Sequence, residues 1–103
     1  MLDVGEATLE RHGAVSEEVV LEMVAGALAH SHAQVAVAVS GVAGPAGGSP
    51  EKPVGTVCIA WAARDGVPRA ETQLFPGDRE SVRRRTVEHA LKGVLALLQG
   101  RDA

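Results

Sequence analysis

The chain has 103 residues, 46% of them hydrophobic and only 2% aromatic: Trp61, Phe75 and no tyrosine. Ten basic and thirteen acidic side chains leave a net charge of −3, which excludes a disordered polar chain and a generally basic nucleic-acid binder. A single cysteine, Cys58, excludes an intramolecular disulfide and a multi-cysteine metal cage.

No apolar run approaches the ~18 residues that a membrane span needs. The first residues carry acids, Asp3 and Glu6, where a secretory leader carries lysines and then an apolar stretch. The expectation is one cytoplasmic domain, with a thin core of small aliphatics that association with other chains would help.

Residues 7–11 could form a helical turn closed by Gly13. Ser16 reads as an N-cap, with Glu17 and Glu18 in the first turn, where acids suit the positive helix end. Val20, Met23, Val24, Ala27 and Leu28 then recur at three- and four-residue intervals, which predicts an amphipathic helix to about residue 31. Residues 34–40 alternate valine with alanine. Both faces are apolar, so an inner strand covered on both sides is expected.

Residues 41–55 break the pattern, with five glycines and three prolines in fifteen positions. Neither helix nor central strand tolerates that composition. Residues 54–62 form a second strand, Asp65-Gly66 a tight turn and residues 69–75 an antiparallel return strand. Asp78 caps a last helix to about residue 99, with Val82, Thr86, Val87, Ala90, Leu91, Val94, Leu95 and Leu98 along one face and Gly100 closing it.

Two features could carry chemistry. The first is the long loop. Ligands of open α/β sheets bind beyond the carboxyl ends of strands, and Ser40 stands at such an end. Gly41, Gly44, Gly47 and Gly48 let backbone N–H groups approach a ligand. No phosphate-loop or dinucleotide glycine signature is present, and a proline-stiffened connection would explain the same composition.

The second feature is Arg79, Arg83, Arg84 and Arg85 at the start of the last helix. Arg79 and Arg83 are four apart and share a face, which suits a phosphate or carboxylate. A solvated face is the plainer explanation, since Glu80–Arg84 and Arg84–Glu88 are ordinary i,i+4 pairs.

His12, His30, His32 and His89 read as surface residues with no ligand spacing, so no metal site is expected. Cys58 reads as a small buried hydrophobe, and Lys52 as an exposed residue that could line the loop. No Gly-x-Ser-x-Gly elbow occurs. Spacing alone assembles no activated nucleophile.

Three stretches together resemble the CinA C-terminal domain family. They are His12-Gly13-Ala14-Val15-Ser16-Glu17-Glu18-Val19, the long segment from Ala38-Val39-Ser40-Gly41 through Gly44-Pro45-Ala46-Gly47-Gly48-Ser49-Pro50-Glu51-Lys52-Pro53-Val54-Gly55 to Val57, and Phe75-Pro76-Gly77-Asp78-Arg79 with Arg83 and Thr86 behind it. Members of that family are nicotinamide-nucleotide amidases, also described as competence- and damage-inducible proteins.

The resemblance implies a three-layer α/β/α sandwich that hydrolyses the amide of nicotinamide mononucleotide, without a cofactor, in pyridine-nucleotide recycling. It implies that Ser40, where the family usually has threonine, is a supporting hydroxyl. The Gly41, Gly44, Gly47 and Gly48 backbone would shape the pocket, and Arg79 or Arg83 would meet the phosphate or carboxamide side. Family domains run further toward the N-terminus, through a Ser-Cys-Thr-Gly-Gly turn that supplies the nucleophile and a Tyr-Ser-Asn segment followed by a lysine. Neither occurs in these 103 residues.

The expectation is therefore a single domain over residues 1–103, incomplete on its N-terminal side, with an unpaired sheet edge and an inactive or partner-dependent centre. It would bind a small-molecule nucleotide, form a homo-oligomer, and touch neither nucleic acid nor membrane. A non-catalytic nucleotide-binding or oligomerising module is the alternative.

Overall fold

Ser16 starts the main helix as its chemistry requires. Its extended backbone turns the hydroxyl onto the Val19 N–H at 3.1 Å, and the same hydroxyl donates to Gly13 O at 3.0 Å. The computed structural model describes residues 4–42 and 53–100. In chain order these form α1 (Glu6–His12), α2 (Glu17–Ala29), β1 (Val35–Gly41), β2 (Thr56–Ala63), β3 (Arg69–Leu74) and α3 (Arg79–Gly100). The last five elements fall where the hydropathy pattern and caps put them, and α1 extends the single turn expected over residues 7–11 to Glu6–His12. Glycines 44, 47 and 48, and Lys52, lie outside the described residues.

The three strands form one antiparallel sheet in the order β1-β2-β3. β2 is the inner strand, and Thr56 through Ala62 are all buried. One of its faces, Cys58, Ala60 and Ala62, packs with Ala38 of β1 against Val20, Val24 and Leu28 of α2. The other face, Val57, Ile59 and Trp61, packs against Ala90, Val82, Val94 and Leu97 of α3. A helix on each face of the sheet makes three layers, the expected α/β/α sandwich.

One expectation is corrected. β1 is not an inner strand. Among the described residues it pairs only with β2, and its other edge is open. Its valines on the α3 side are under-covered as well, Val37 being 41% exposed and Val39 39%. α3 lies mainly over β2 and reaches β1 only in part.

The stripe of α3 is also narrower than its apolar pattern suggests. Val82, Thr86, Ala90, Gly93, Val94 and Leu97 face the sheet, whereas Val87, Leu91, Leu95 and Leu98 stand half exposed, the first two beside Val39 of β1.

Trp61 sets the seat of α3. Its indole is 1% exposed and its Nε1 donates to Ala90 O at 2.9 Å. Gly93 lies directly above the ring, where a Cβ would overlap the indole. That explains a glycine inside a 22-residue helix, where alanine would otherwise be preferred by about 1 kcal/mol.

Beside it, His89 Nε2 meets Glu71 Oε1 of β3 at 2.7 Å, with the ring packed between Trp61 and Phe75. On the opposite layer, Arg64 closes α2. Its guanidinium donates to Leu28 O, a carbonyl that the helix end leaves over, and to Ser31 O and Ala33 O of the segment that follows, at 2.8, 2.8 and 2.9 Å.

Candidate functional site

The end of β1, the start of β2 and the first turns of α3 meet at one corner. The β1–β2 ladder continues past the strand end through Val42 N–H to Thr56 O at 2.9 Å and Gly55 N–H to Val42 O at 3.2 Å. Gly55 then sits at φ 97°. A side chain there would strike the Phe75 carbonyl, so only glycine permits the close approach of this turn to the end of β3. Phe75 N–H in turn donates to Gly55 O at 3.0 Å. This pins Phe75-Pro76-Gly77-Asp78, and hence the start of α3, beside the mouth of the long loop.

Asp78 caps α3 by accepting from Ser81 N–H at 2.8 Å. That backbone bond, with the Ser81 side chain, holds its carboxyl below the usual aspartate range.

The corner encloses a cleft of about 620 Å³. Gly41, Val42 and Val54 form one rim, Val39 and Val57 the floor, and Arg79, Arg83, Thr86, Val87 and Leu91 the helical wall. The lining is apolar except at the Arg79–Arg83 end. Thr86 donates its hydroxyl to Val82 O at 2.7 Å, so its methyl is the part left for a ligand. The helix end cannot hold an anion unaided, because the Asp78 carboxylate already takes one N–H and opposes a second negative charge. The two guanidinium groups must supply the attraction. A flat apolar ring on the floor with an anionic group at the arginines fits this distribution.

The structure brings together some of the expected site residues and separates others. Gly41, Arg79 and Arg83 share the cleft. Ser40 does not. Its Cα partner is Cys58, so its side chain points to the α2 face, where Oγ donates to Ala14 O at 2.7 Å. Period-two alternation makes this unavoidable: Val39 and Gly41 face α3, so Ser40 cannot.

The rule about carboxyl ends of parallel strands also does not apply, since every described pairing is antiparallel. The loop is a hairpin connection, and the cleft exists because α3 starts beside it. Sequence reasoning missed the apolar walls Val39, Val42, Val54 and Leu91; the surplus width of the α3 stripe was the available signal. It also missed His89, which is a half-buried partner of Glu71 rather than an isolated surface histidine.

The α2 face holds a second, smaller concavity. Cys58 is buried there, as expected, with Sγ 3.5 Å from Thr72 Oγ1, which donates to Glu17 Oε2 at 2.7 Å. Among the described residues no group of three or more His, Cys, Asp or Glu is placed to hold a metal. No described helix is long and apolar enough to cross a membrane.

Comparison with known proteins decides the family. The model of the CinA C-terminal domain matches residues 1–98. The chain belongs to the CinA C-terminal domain family.

Within this family, a CinA-like protein of Akkermansia muciniphila is 59% identical over 95 residues, covering 92% of this chain and 23% of that protein. The nicotinamide-nucleotide amidohydrolase PncC of Escherichia coli K12 is 52% identical over 92 residues, covering 89% and 56%. The crystal structure of the competence/damage inducible protein CihA of Agrobacterium tumefaciens superposes with a TM-score of 0.90 at 47% identity, covering 94% of this chain and 59% of that one. The chain thus spans less than two thirds of the length of each of these CinA-family relatives.

Proposed function

We propose that these residues form the nucleotide-binding part of a nicotinamide-nucleotide amidase, acting on nicotinamide mononucleotide in cytoplasmic pyridine-nucleotide recycling. The observation that carries the reading is the cleft itself. It joins an apolar floor sized for a heteroaromatic ring to a pair of arginines sized for a phosphate, in a chain 52% identical to a named amidohydrolase over the matched region. The ring would lie on Val39 and Val57 and the phosphate would meet Arg79 and Arg83.

Amide hydrolysis further requires an attacking group, a base and donors for the oxyanion. The described cleft walls offer none of these: two guanidinium groups, a threonine hydroxyl committed to its own helix, and hydrocarbon. The Ser-Cys-Thr-Gly-Gly segment that the family resemblance makes the source of the nucleophile is not in this sequence. Ser40, turned to the far face, does not replace it; its role would be to tie the end of β1 to the Ala14 turn. The non-catalytic nucleotide-binding module is a second reading for the 103 residues alone, favoured by this same lack of a nucleophile in the cleft.

Calorimetry tests the binding half. Nicotinamide mononucleotide should bind, nicotinamide riboside should bind at least ~10-fold more weakly, and Arg79→Ala or Arg83→Ala should erase most of that difference. No heat at millimolar mononucleotide overturns the reading. An ammonia-release assay tests the catalytic half. The 103 residues alone should release none; turnover abolished by Ser40→Ala would show that the nucleophile had been misplaced.

A further inference from the structure

α3 carries both arginines of the cleft, so whatever fixes its rotation about its own axis fixes where they point. We propose that His89 is a positioning residue for the anion end of the cleft: its contact with Glu71 sets the roll of α3, and through it the aim of Arg79 and Arg83. This role rests on the nucleotide reading above.

Apolar packing does not set roll by itself. It has no direction, and the seat of α3 is built from Ala90 and Gly93 at the Trp61 ring, with Val82 and Val94 alongside. The Trp61 Nε1 bond goes to a backbone carbonyl, that of Ala90. Backbone atoms lie only ~2 Å from the helix axis, so this bond fixes height and slide but resists roll with a short lever. His89 has a longer one. Its side chain leaves α3 for β3, where Nε2 stands 2.7 Å from Glu71 Oε1.

β3 presents that carboxylate because of its register. Glu71 pairs with Ile59, whose side chain packs against α3, so Glu71 faces α3 as well. Gln73, two residues on and on the same face, places its Nε2 3.5 Å from the other carboxylate oxygen. An ionised carboxylate only accepts, so His89 Nε2 donates, and the bond is charge-assisted. The imidazole also packs 5.8 Å from the Trp61 ring and 6.0 Å from the Phe75 ring. Phe75 is bonded to Gly55 at the mouth of the long loop and leads through Asp78 into Arg79. One side chain thus joins α3 to β2, to β3 and to the segment that starts the cationic wall.

Arg83 precedes His89 by six residues, about 9 Å along the axis. Within one helix a roll at His89 is carried whole to the arginines. Side chains reach ~5–6 Å from the axis, so a roll of about 10° moves a guanidinium by about 1 Å. That exceeds the ~0.5 Å window of good N–H···O distances.

Two substitutions separate the polar contact from the ring. His89→Phe keeps the packing between Trp61 and Phe75 and removes the donor. His89→Gln gives up the ring and keeps an N–H donor near the Nε2 position. Calorimetry of the 103-residue chain, with nicotinamide mononucleotide titrated directly and nicotinamide riboside by competition, gives the ratio of the two affinities. His89→Phe should lower that ratio at least ~3-fold by weakening the mononucleotide, with riboside affinity held within ~2-fold. His89→Gln should retain most of the wild-type ratio. Glu71→Leu should match His89→Phe, and the double variant should be no worse than either single one, because the contact is already gone.

An unchanged ratio in His89→Phe, a loss in His89→Gln as large as in His89→Phe, losses that add in the double variant, or an equal fall for both ligands overturns the proposal. A wild-type chain that holds the riboside as tightly as the mononucleotide refutes the nucleotide reading instead, and the positioning role falls with it.

Discussion

Gly93→Ala sets two opposing effects against each other in one substitution. In an exposed helix interior the change would stabilise by about 1 kcal/mol, because alanine is the better helix former. Here the added Cβ would overlap the Trp61 indole. Either the ring leaves its seat, losing its bond to Ala90 O, or α3 lifts from β2. Overpacking of this kind costs ~1–3 kcal/mol, and the lost buried hydrogen bond a further ~1 kcal/mol.

The costs outweigh the propensity gain, and the net is a destabilisation of ~1–3 kcal/mol. For a chain of this size that lowers Tm by roughly 5–15 °C. Thermal unfolding followed by far-UV circular dichroism measures it, with Trp61 fluorescence as a second probe of the same contact. In a Trp61→Leu background the indole atoms that a Cβ would meet are gone, so Gly93→Ala should there be neutral or stabilising. An unchanged or raised Tm for the single variant, or the same cost in both backgrounds, would refute the steric argument.

Other outcomes follow from the caps and the carboxylates. Ser16→Ala removes the acceptor for Val19 N–H in a buried site and should cost about 1 kcal/mol in urea unfolding. Arg64→Ala should cost about 1–2 kcal/mol in the same assay, and Arg64→Lys should recover little of it, because one ammonium cannot span the three carbonyls that the planar guanidinium reaches.

Glu22 is held below its usual value of 4.5 chiefly by the Thr8 hydroxyl and then by Gly5 N–H. A depressed folded-state value contributes stability above the unfolded one and loses it as pH falls through the folded one. Glu22→Gln should therefore flatten the loss of stability below pH 4.5; an identical acid limb in wild type and variant would count against the α1–α2 tie.

What can be read from the sequence is local. Ser16, Gly13 and Asp78 act on backbone within four residues, so their cap functions follow from residue type and place. The alternation in β1 marks a strand with two apolar faces, but alternation reports what the faces meet and says nothing about the edges. The strand is apolar on both sides and still outermost.

The cleft is half legible. Arg79 and Arg83 are visible as a pair, and Gly41 as the strand end. Ser40 groups with them in the sequence because nothing local states which helix covers which face of the sheet. The His89–Glu71 contact and the Gly93–Trp61 seat are long-range facts. An isolated histidine and a helix-weakening glycine are their only traces in the chain.

The seat at Trp61 has a mechanical corollary. α3 is a single rod, seated on the indole toward its far end, tethered at its start through the Gly55–Phe75 backbone bond, and carrying its cations at that near end. Arg83 is ten residues from Gly93, about 15 Å along the axis. Pivoting the rod by about 5° about the indole would swing that guanidinium by roughly 1.3 Å, enough to make or break a charge-assisted contact. Affinity for a negatively charged guest can therefore be tuned by side-chain volume beneath the tail of the helix, far from any atom the guest touches.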